Sequence, residues 1–177
     1  PRSTQGVSSA ASDVYKRQPI YEGTNGIQAL DLMFRKLPLD QGQALQRLLI
    51  EVESVLDSLD NRGEEFDTMK HHLSEAIQSL SETTLWLGEK LLNRELVDAS
   101  AGATPYLKMF GLVMGGYYMA KAAIQAEERL QEDSEFYKEK ITVSKFYMEQ
   151  ILPQALGLVP AIKAGKEDLF NIKSENY

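Results

Sequence analysis

Apolar residues recur every three or four positions through most of this chain, and this spacing constrains its fold more than any other feature. Between residues 40 and 59 the apolar positions are Ala44, Leu45, Leu48, Leu49, Val52, Val55, Leu56 and Leu59. Between residues 64 and 94 one face carries Phe66, Met69, Leu73, Ala76, Ile77, Leu80, Leu87 and Leu91. Such steps place side chains on one stripe of an α-helix, so the pattern predicts two long amphipathic helices.

Caps and helix breakers predict three further helices, which cover residues 24–37, 105–131 and 135–164. Thr24 is a good N-cap for the first of them, and Pro38 ends it. Turns are expected at 60–63 and 132–134, and a small polar connection or kink at 98–104. Long helices joined by short turns predict an all-α, up-down helical bundle.

Glycine and proline positions predict details of the last two helices. Three glycines lie on the helix 105–131, at positions 111, 115 and 116, and they let a neighbouring helix approach closely. Ser134 is expected to cap the following helix. Pro153 and Pro160 should kink that helix or divide it, because proline lacks the N–H that a helix interior needs.

The composition limits the classes of function. With 43% hydrophobic and 25% charged residues, the 177-residue chain has an ordinary globular composition. Cysteine is absent, which excludes disulfides, thiolate metal sites and a cysteine nucleophile. The formal net charge of −7 argues against binding to nucleic acid or to an anionic membrane surface. The longest apolar stretch, 109–120, is shorter than the about 20 residues that a membrane span needs.

Residues 1–18 share no pattern with the rest of the chain, since they have neither a helical period nor an apolar face. Their second half resembles the in-frame translation of a transposase sequencing adapter. We therefore expect an artefactual, disordered leader that makes no contact with the bundle, and exclude it from fold reasoning. A natural disordered leader is the alternative.

The short segment Tyr21-Glu22-Gly23-Thr24 places a carboxylate on a loop, then a glycine, then a helix start. The glycine lets a flat ligand pass close to the backbone, and the first amides of a helix favour anions and polar ligands. A Glu22 carboxylate held beside Tyr21 and Ile27 would be partly desolvated and more basic. By themselves, however, these residues favour a plainer interpretation, an ordinary helix cap with an exposed glutamate.

The same segment, followed by Ile27-Gln28, resembles the signature of the acyl-CoA dehydrogenase family near the end of its catalytic core. The resemblance implies that Glu22 is the catalytic base and that the acyl-CoA substrate is contacted by Tyr21 and Gly23. It also implies that the cofactor FAD is contacted by Thr24, Asn25, Gly26 and Gln28. No metal site is implied.

Later segments resemble the extra C-terminal helical domain of one branch of that family, which includes the methylmercaptopropionyl-CoA dehydrogenases. The matching segments are 103–111, 115–116, 136–140, 145–147 and 152–153. The resemblance divides the chain into an artefactual leader, the end of a catalytic core, a helical bundle and a tail, at 1–18, 19–38, 39–165 and 166–177. Phe34 departs from the branch, in which a small residue, usually glycine, is expected, and local packing there is in doubt.

The implied reaction is the α,β-dehydrogenation of an acyl-CoA thioester, with electrons passed to an electron-transfer flavoprotein. The parent is expected to be a cytoplasmic bacterial homo-oligomer, and this chain alone is expected to be inactive. Its first helix should then expose an apolar stripe made by Ile27, Leu30 and Phe34, and self-association through that stripe is expected.

Two other interpretations stay open. The first is a non-enzymatic helical module that mediates assembly; the second is a nucleic-acid-associated relative of the same superfamily, which the acidic charge disfavours. His71-His72 is expected on a solvated helix face, and Glu64-Glu65 and Glu127-Glu128 are interpreted as surface charge. The aromatic residues Trp86, Phe110, Tyr117 and Tyr118 are expected in packing, with one of the two adjacent tyrosines facing a partner subunit or the missing core.

Overall fold

A computed structural model describes residues 25–171, and within that range every regular element is helical, as predicted. The α-helices are α1 (Asn25–Asp31), α2 (Gln43–Ser58), α3 (Glu64–Leu92), α4 (Leu96–Ala101), α5 (Ala103–Glu128), α6 (Ser134–Phe146), α7 (Val159–Lys163) and α8 (Glu167–Phe170). Two π turns, Leu32–Lys36 and Tyr147–Ile151, and two 3₁₀ segments, Leu39–Gly42 and Leu152–Leu158, connect them. The all-α bundle is therefore confirmed.

The helix α5 lies at the centre and contacts every α-helix from α1 to α7. It buries ten of its residues, whereas one face, with Lys108, Gly111, Tyr118 and Gln125, is exposed. Against α3 it runs antiparallel, with Tyr106 beside Thr84 and Gly116 beside Leu73. The Tyr106 hydroxyl lies 2.7 Å from the Thr84 hydroxyl, and burial raises the pKa of Tyr106 to about 12.

The predicted start of the second helix at residue 40 is wrong. Asp40 and Gln41 have φ angles of 55° and 58°, and Gly42 follows with a φ of 83°. Three consecutive left-handed residues cannot open a right-handed helix, so α2 begins at Gln43. The left-handed turn sends the chain from the end of the first π turn into α2.

The segment 98–104, predicted as a connection or kink, holds the break between α4 and α5. Most of it is helical, however, and only Gly102 separates the two helices. An ideal Cβ on Gly102 would lie 2.5 Å from the carbonyl oxygen of Ile162, so this glycine lets α7 approach closely. Alanine at three of the neighbouring positions favours helix over a polar loop.

The last predicted helix is divided, as its prolines indicated. Pro153 and Pro160 each lie in the first turn of a new segment, where a missing N–H costs no hydrogen bond. The predicted cap is wrong by one residue. Asp133, and not Ser134, caps α6, because its carboxylate accepts a hydrogen bond from the Phe136 N–H at 3.1 Å.

Two of the three glycines on α5 permit close packing. An ideal Cβ on Gly115 would meet the hydroxyl of Tyr147, which donates to the Leu112 carbonyl oxygen at 3.0 Å. An ideal Cβ on Gly116 would meet the side chains of Leu73 and Leu152. No such neighbour lies within 4 Å of the third, Gly111.

Glu128 is exposed and Glu127 is half-buried at the helix surface, in keeping with their interpretation as surface charge, and both are paired. The guanidinium of Arg62, in the turn between α2 and α3, donates to Glu127 and, at 3.2 Å, to Glu128. Hydrogen bonding to Glu127 is the main cause that raises the pKa of Arg62. This ion-pair group ties the α2–α3 turn to the end of α5, whereas Glu64 and Glu65 are exposed.

Candidate functional site

The predicted site divides at the edge of the described range. Glu22 lies outside the described residues, as do Tyr21, Gly23 and Thr24. Asn25, Gly26 and Gln28 open α1. Asn25 and Gln28 are exposed and Gly26 is half-buried. The structure therefore describes three of the seven predicted site residues, on the first turn of one helix.

The helix α1 and the π turn after it have two faces. Ala29, Met33 and Leu37 are buried in the bundle core, where α1 packs against α5. On the other face Ile27, Leu30 and Phe34 are 59%, 38% and 39% exposed. These three residues, the outer stripe, form the exposed apolar stripe that their spacing predicted.

Phe34 stands where the resemblance leads one to expect glycine. Its side chain belongs to the outer stripe and not to the α1–α5 contact. The bulk of Phe34 therefore adds to the exposed apolar surface and leaves the inner packing, with Met33 fully buried, undisturbed.

Asp31, close in sequence to the outer stripe, forms ion pairs with two basic side chains. Arg35 donates to both of its carboxylate oxygens, at 2.5 and 2.9 Å, and the Lys36 ammonium lies 3.5 Å away. The hydrogen bond from Arg35 is the main cause that lowers the pKa of Asp31. An ionised carboxylate thus holds both cations on the π turn.

A groove opens between the first π turn, the start of α2 and the last turns of α3. Its volume is about 450 Å³. Its apolar lining, with a glycine at one position, consists of Leu37, Pro38, Leu45, Gly88, Leu91 and Leu92. Gln41, Gly42 and Thr84 complete the lining, so the described residues contribute no charged side chain to it. We call this feature the Gly88 groove.

The floor of the Gly88 groove is unusual for a helix interior. Gly88 lies within the 29-residue helix α3, where glycine costs about 1 kcal/mol relative to alanine. No atom of a neighbouring element lies within 4 Å of an ideal Cβ on Gly88. Packing within the described residues therefore gives no reason for a glycine at this position.

A second cleft, of about 330 Å³, lies between α2 and α5. The hydroxyl of buried Tyr117 donates to Glu51 on α2 and accepts from the Lys121 ammonium at 3.0 Å. The hydrogen bond to Tyr117 is the main cause that raises the pKa of Lys121. Since each polar group has a partner, the arrangement acts as a tether between the two helices.

The remaining candidates are placed as follows. Tyr117 is buried and Tyr118 is exposed, so the two adjacent tyrosines face different ways, as expected. His71 is exposed and lies 3.5 Å from Glu75. Among residues 25–171, no group of three or more histidine, aspartate and glutamate side chains is placed to hold a metal ion. No helix in the described part of the chain is long and apolar enough to cross a membrane.

The sequence interpretation missed the Gly88 groove. Gly88 and the exposed Leu92 are visible in the sequence, and a glycine inside a strong helical pattern is a recognised signal. Their meaning depends on the left-handed turn at 40–42, which brings Leu37 and Leu45 to the end of α3.

The all-helical bundle, organised around α5 and with an apolar face left open on α1, defines a helical domain. The chain belongs to the acetyl-CoA dehydrogenase C-terminal-like family, whose model matches residues 48–173.

The most informative relatives are all dehydrogenases. The chain is 26% identical over 166 residues to a butyryl-CoA dehydrogenase of Syntrophomonas wolfei, covering 89% of this chain and 26% of the relative. It is 30% identical over 139 residues to the 3-methylmercaptopropionyl-CoA dehydrogenase of Ruegeria pomeroyi, covering 76% and 23%. A broad-specificity linear acyl-CoA dehydrogenase of Mycobacterium tuberculosis is 25% identical over 167 residues, covering 89% and 27%.

The chain spans about a quarter of the length of these relatives. A match over 89% of the chain has to include α1, although the family model begins at residue 48, within α2. The similarity to whole dehydrogenases therefore extends through α1 towards the Tyr21–Thr24 segment.

Proposed function

We propose that this chain is the C-terminal part of a flavin-dependent acyl-CoA dehydrogenase and that it contributes Glu22, the catalytic base. The observation that carries the proposal is the similarity to whole dehydrogenases across α1, the helix that follows the Tyr21-Glu22-Gly23-Thr24 motif. The parent enzyme would convert an acyl-CoA thioester to its α,β-unsaturated form.

In this proposal Glu22 removes the α-proton of the thioester. A carboxylate does so efficiently when the exclusion of water raises its pKa towards neutrality. Tyr21 would provide part of that apolar surrounding, and Gly23 would let the thioester pass close to the backbone. Bound FAD would accept the hydride that leaves the β-carbon.

The described residues fit the edge of a flavin site. Asn25 and Gln28 carry amide side chains that donate and accept hydrogen bonds, and both are exposed on α1. Gly26 between them is half-buried, and because it has no side chain, a ligand can approach the helix backbone closely there. With Thr24, these residues would meet one edge of the cofactor, and the preceding part of the parent enzyme would enclose the rest.

The proposal extends to partners. The electron acceptor would be an electron-transfer flavoprotein, and the parent would be a homo-oligomer in the bacterial cytoplasm. The acidic chain, with its formal net charge of −7, fits neither nucleic acid nor an anionic membrane as a partner. The isolated chain should be inactive, because the three described candidate residues form an edge and not an enclosure.

A helical assembly module without catalytic residues is the second candidate, and the extent of the core in the bundle favours it. The residues from α2 to α7 supply most of one continuous apolar core, to which α1 and the following π turn add Ala29, Leu32, Met33 and Leu37. The two candidates differ in what precedes α1, because only the enzyme needs a flavin-binding region there.

The test is to express the uninterrupted gene and to compare the product with this chain. The full-length protein should purify with flavin, and an acyl-CoA should bleach the oxidised flavin absorbance under anaerobic conditions. The chain described here should bind no flavin under the same conditions. A full-length product without flavin, or a flavin that no acyl-CoA reduces, would favour the assembly module.

A further inference from the structure

We propose that the outer stripe and the Gly88 groove form one docking surface for the catalytic portion of the same polypeptide, which inserts an apolar side chain above Gly88. The inference rests on the proposed function, because it assumes that a catalytic portion precedes α1. It adds a location and a chemistry for the interface between the two portions.

The two parts of this surface are continuous. Phe34, at the end of the outer stripe, lies about one helical turn before Pro38, which lines the groove. Leu92, which lines the groove, is 86% exposed, and Leu39, next to Pro38, is 56% exposed. Contiguous exposed apolar surface of this kind is typical of an interface.

The chemistry of the groove selects an apolar occupant. Among the described lining residues the one hydroxyl, that of Thr84, already bonds to the Leu80 carbonyl and to Tyr106, each at 2.7 Å. An incoming charge would lose water and find no opposite charge among these residues, with Gln41 as the one amide side chain, which is unfavourable. A leucine, methionine or phenylalanine side chain would instead gain contacts.

Gly88 keeps the floor of the groove open. It lies inside a long helix with open space at its Cβ, as Gly111 does, but of these two glycines only Gly88 lines the groove. A side chain that enters from outside would use this space, which a Cβ at position 88 would occupy.

The occupant is assigned to the same polypeptide because of where the surface lies. The outer stripe is on α1, which joins the Tyr21–Thr24 motif to the bundle, and the relatives that match through α1 are about four times longer than the match. A portion tethered this closely has a high effective concentration at the surface, which favours it over a second copy.

The absence of cysteine from the chain permits a direct test. Gly88→Cys introduces a small thiol into the groove, and Gly111→Cys is the matched control, since Gly111 also lies inside a long helix with open space at its Cβ. Each substitution is made in this chain, at a concentration at which it sediments as a monomer, and in the full-length enzyme. Alkylation rates are followed peptide by peptide.

The cysteine at position 88 should react at least about tenfold more slowly in the full-length enzyme than in this chain, because covered groups react only through local opening. The cysteine at position 111 should react at similar rates in both. Equal rates at position 88 would overturn the proposal, as would equal protection at both positions.

A second copy of the chain is the alternative occupant of the groove. In that case the cysteine at position 88 would become more protected as the concentration of this chain rises, and it would gain no further protection in the full-length enzyme. That result would also overturn the proposal. The labelling needs no catalytic turnover. Protection at position 88 in a protein that reduces no flavin would therefore refute the proposed function and retain the docking surface. Flavin reduction without protection at position 88 would retain the proposed function and refute the docking surface.

Discussion

The bundle from α2 to α7 and the junction from residue 25 to residue 42 differ in the share of their large apolar side chains that is exposed. In the bundle, the long helices α3 and α5 bury large residues such as Leu73, Leu80 and Met109 completely. In the junction, only one face of α1 is buried, and the outer stripe and Leu39 are exposed. The bundle supplies most of the core, whereas the junction adds one buried face to it and leaves the outer stripe open.

The backbone shows the same contrast. Within α3 and α5 the chain follows ordinary helical geometry for 29 and 26 residues. Within the junction, a seven-residue helix, a π turn and three consecutive left-handed residues follow one another. Residues held in such conformations persist where surrounding contacts determine them, and they cluster at functional surfaces.

The largest expected effect comes from a matched pair of leucines on α3. Leu73→Ala, in the bundle, should lower the free energy of unfolding by about 2–5 kcal/mol, because Leu73 is completely buried. Leu92→Ala, in the lining of the Gly88 groove, should change it by no more than about 0.5 kcal/mol in this chain, because Leu92 is 86% exposed. Urea denaturation followed by circular dichroism measures both. Equal losses would remove the contrast between the buried core and the open groove next to the junction.

The next effect concerns two glycines. Gly102→Ala should destabilise the chain by about 1–3 kcal/mol, because the new Cβ would meet the Ile162 backbone. Gly111→Ala, where the Cβ meets open space, should stabilise it by up to about 1 kcal/mol through helix propensity. The melting temperatures of both variants, compared with that of the parent chain, measure these effects. A stabilising Gly102→Ala would show that α7 does not approach α4 and α5 as closely as described.

The outer stripe should control self-association of this chain. The double substitution Ile27→Lys and Phe34→Lys places charge on two exposed positions and should weaken self-association by about tenfold, which corresponds to about 1.4 kcal/mol. A matched control changes Val143 and Phe146, exposed on α6, to lysine. Sedimentation velocity over a concentration series measures both. A larger effect from the α6 pair would show that the chain self-associates through the bundle and not through the outer stripe.

The smallest effect is a dependence on pH. Asp98 on α4 accepts from the Lys166 ammonium at 2.9 Å and from the Lys166 N–H at 3.2 Å. The hydrogen bond from the Lys166 side chain is the main cause that lowers the pKa of Asp98. A depressed pKa stabilises the folded state above the unfolded pKa of about 3.9, and this stabilisation is lost as the pH falls through the folded pKa.

Asp98→Asn should therefore lower the melting temperature slightly at neutral pH, and the difference from the parent should vanish at strongly acidic pH. Asp57→Asn, which removes an exposed charge on α2, is the control. A difference that stayed constant from neutral to acidic pH would mean that Asp98 acts through packing and not through its ionised pair.

Periodicity and breakers predicted the bundle because they are local signals. The helices α3 and α5 lie within a few residues of their predicted bounds, and the division at Pro153 and Pro160 follows from the missing N–H. The left-handed Asp40 and Gln41 could not be predicted, because neither residue type requires that conformation. The pairing of Arg62 with Glu127 joins positions far apart in the chain, which local patterns do not reveal.

The candidate site was predicted from a motif and not from packing. The resemblance selected Glu22 and its neighbours, and the exposure of the outer stripe followed from spacing in α1. The Gly88 groove was missed because a cavity between the chain before α2 and the end of α3 exists only after folding. Gly88 can be read from the sequence, but helix propensity alone indicates only that a glycine there destabilises the helix.

Glu22→Gln in the full-length enzyme tests the central claim most directly. The substitution keeps the size of the side chain and removes the proposed base, so acyl-CoA should reduce the flavin about 10²- to 10⁴-fold more slowly. Flavin content and acyl-CoA binding should barely change. Rapid anaerobic mixing measures the reduction step itself. A variant that reduces its flavin within about tenfold of the parent rate, below the usual contribution of a general base, would contradict the account, because another group would then be the base.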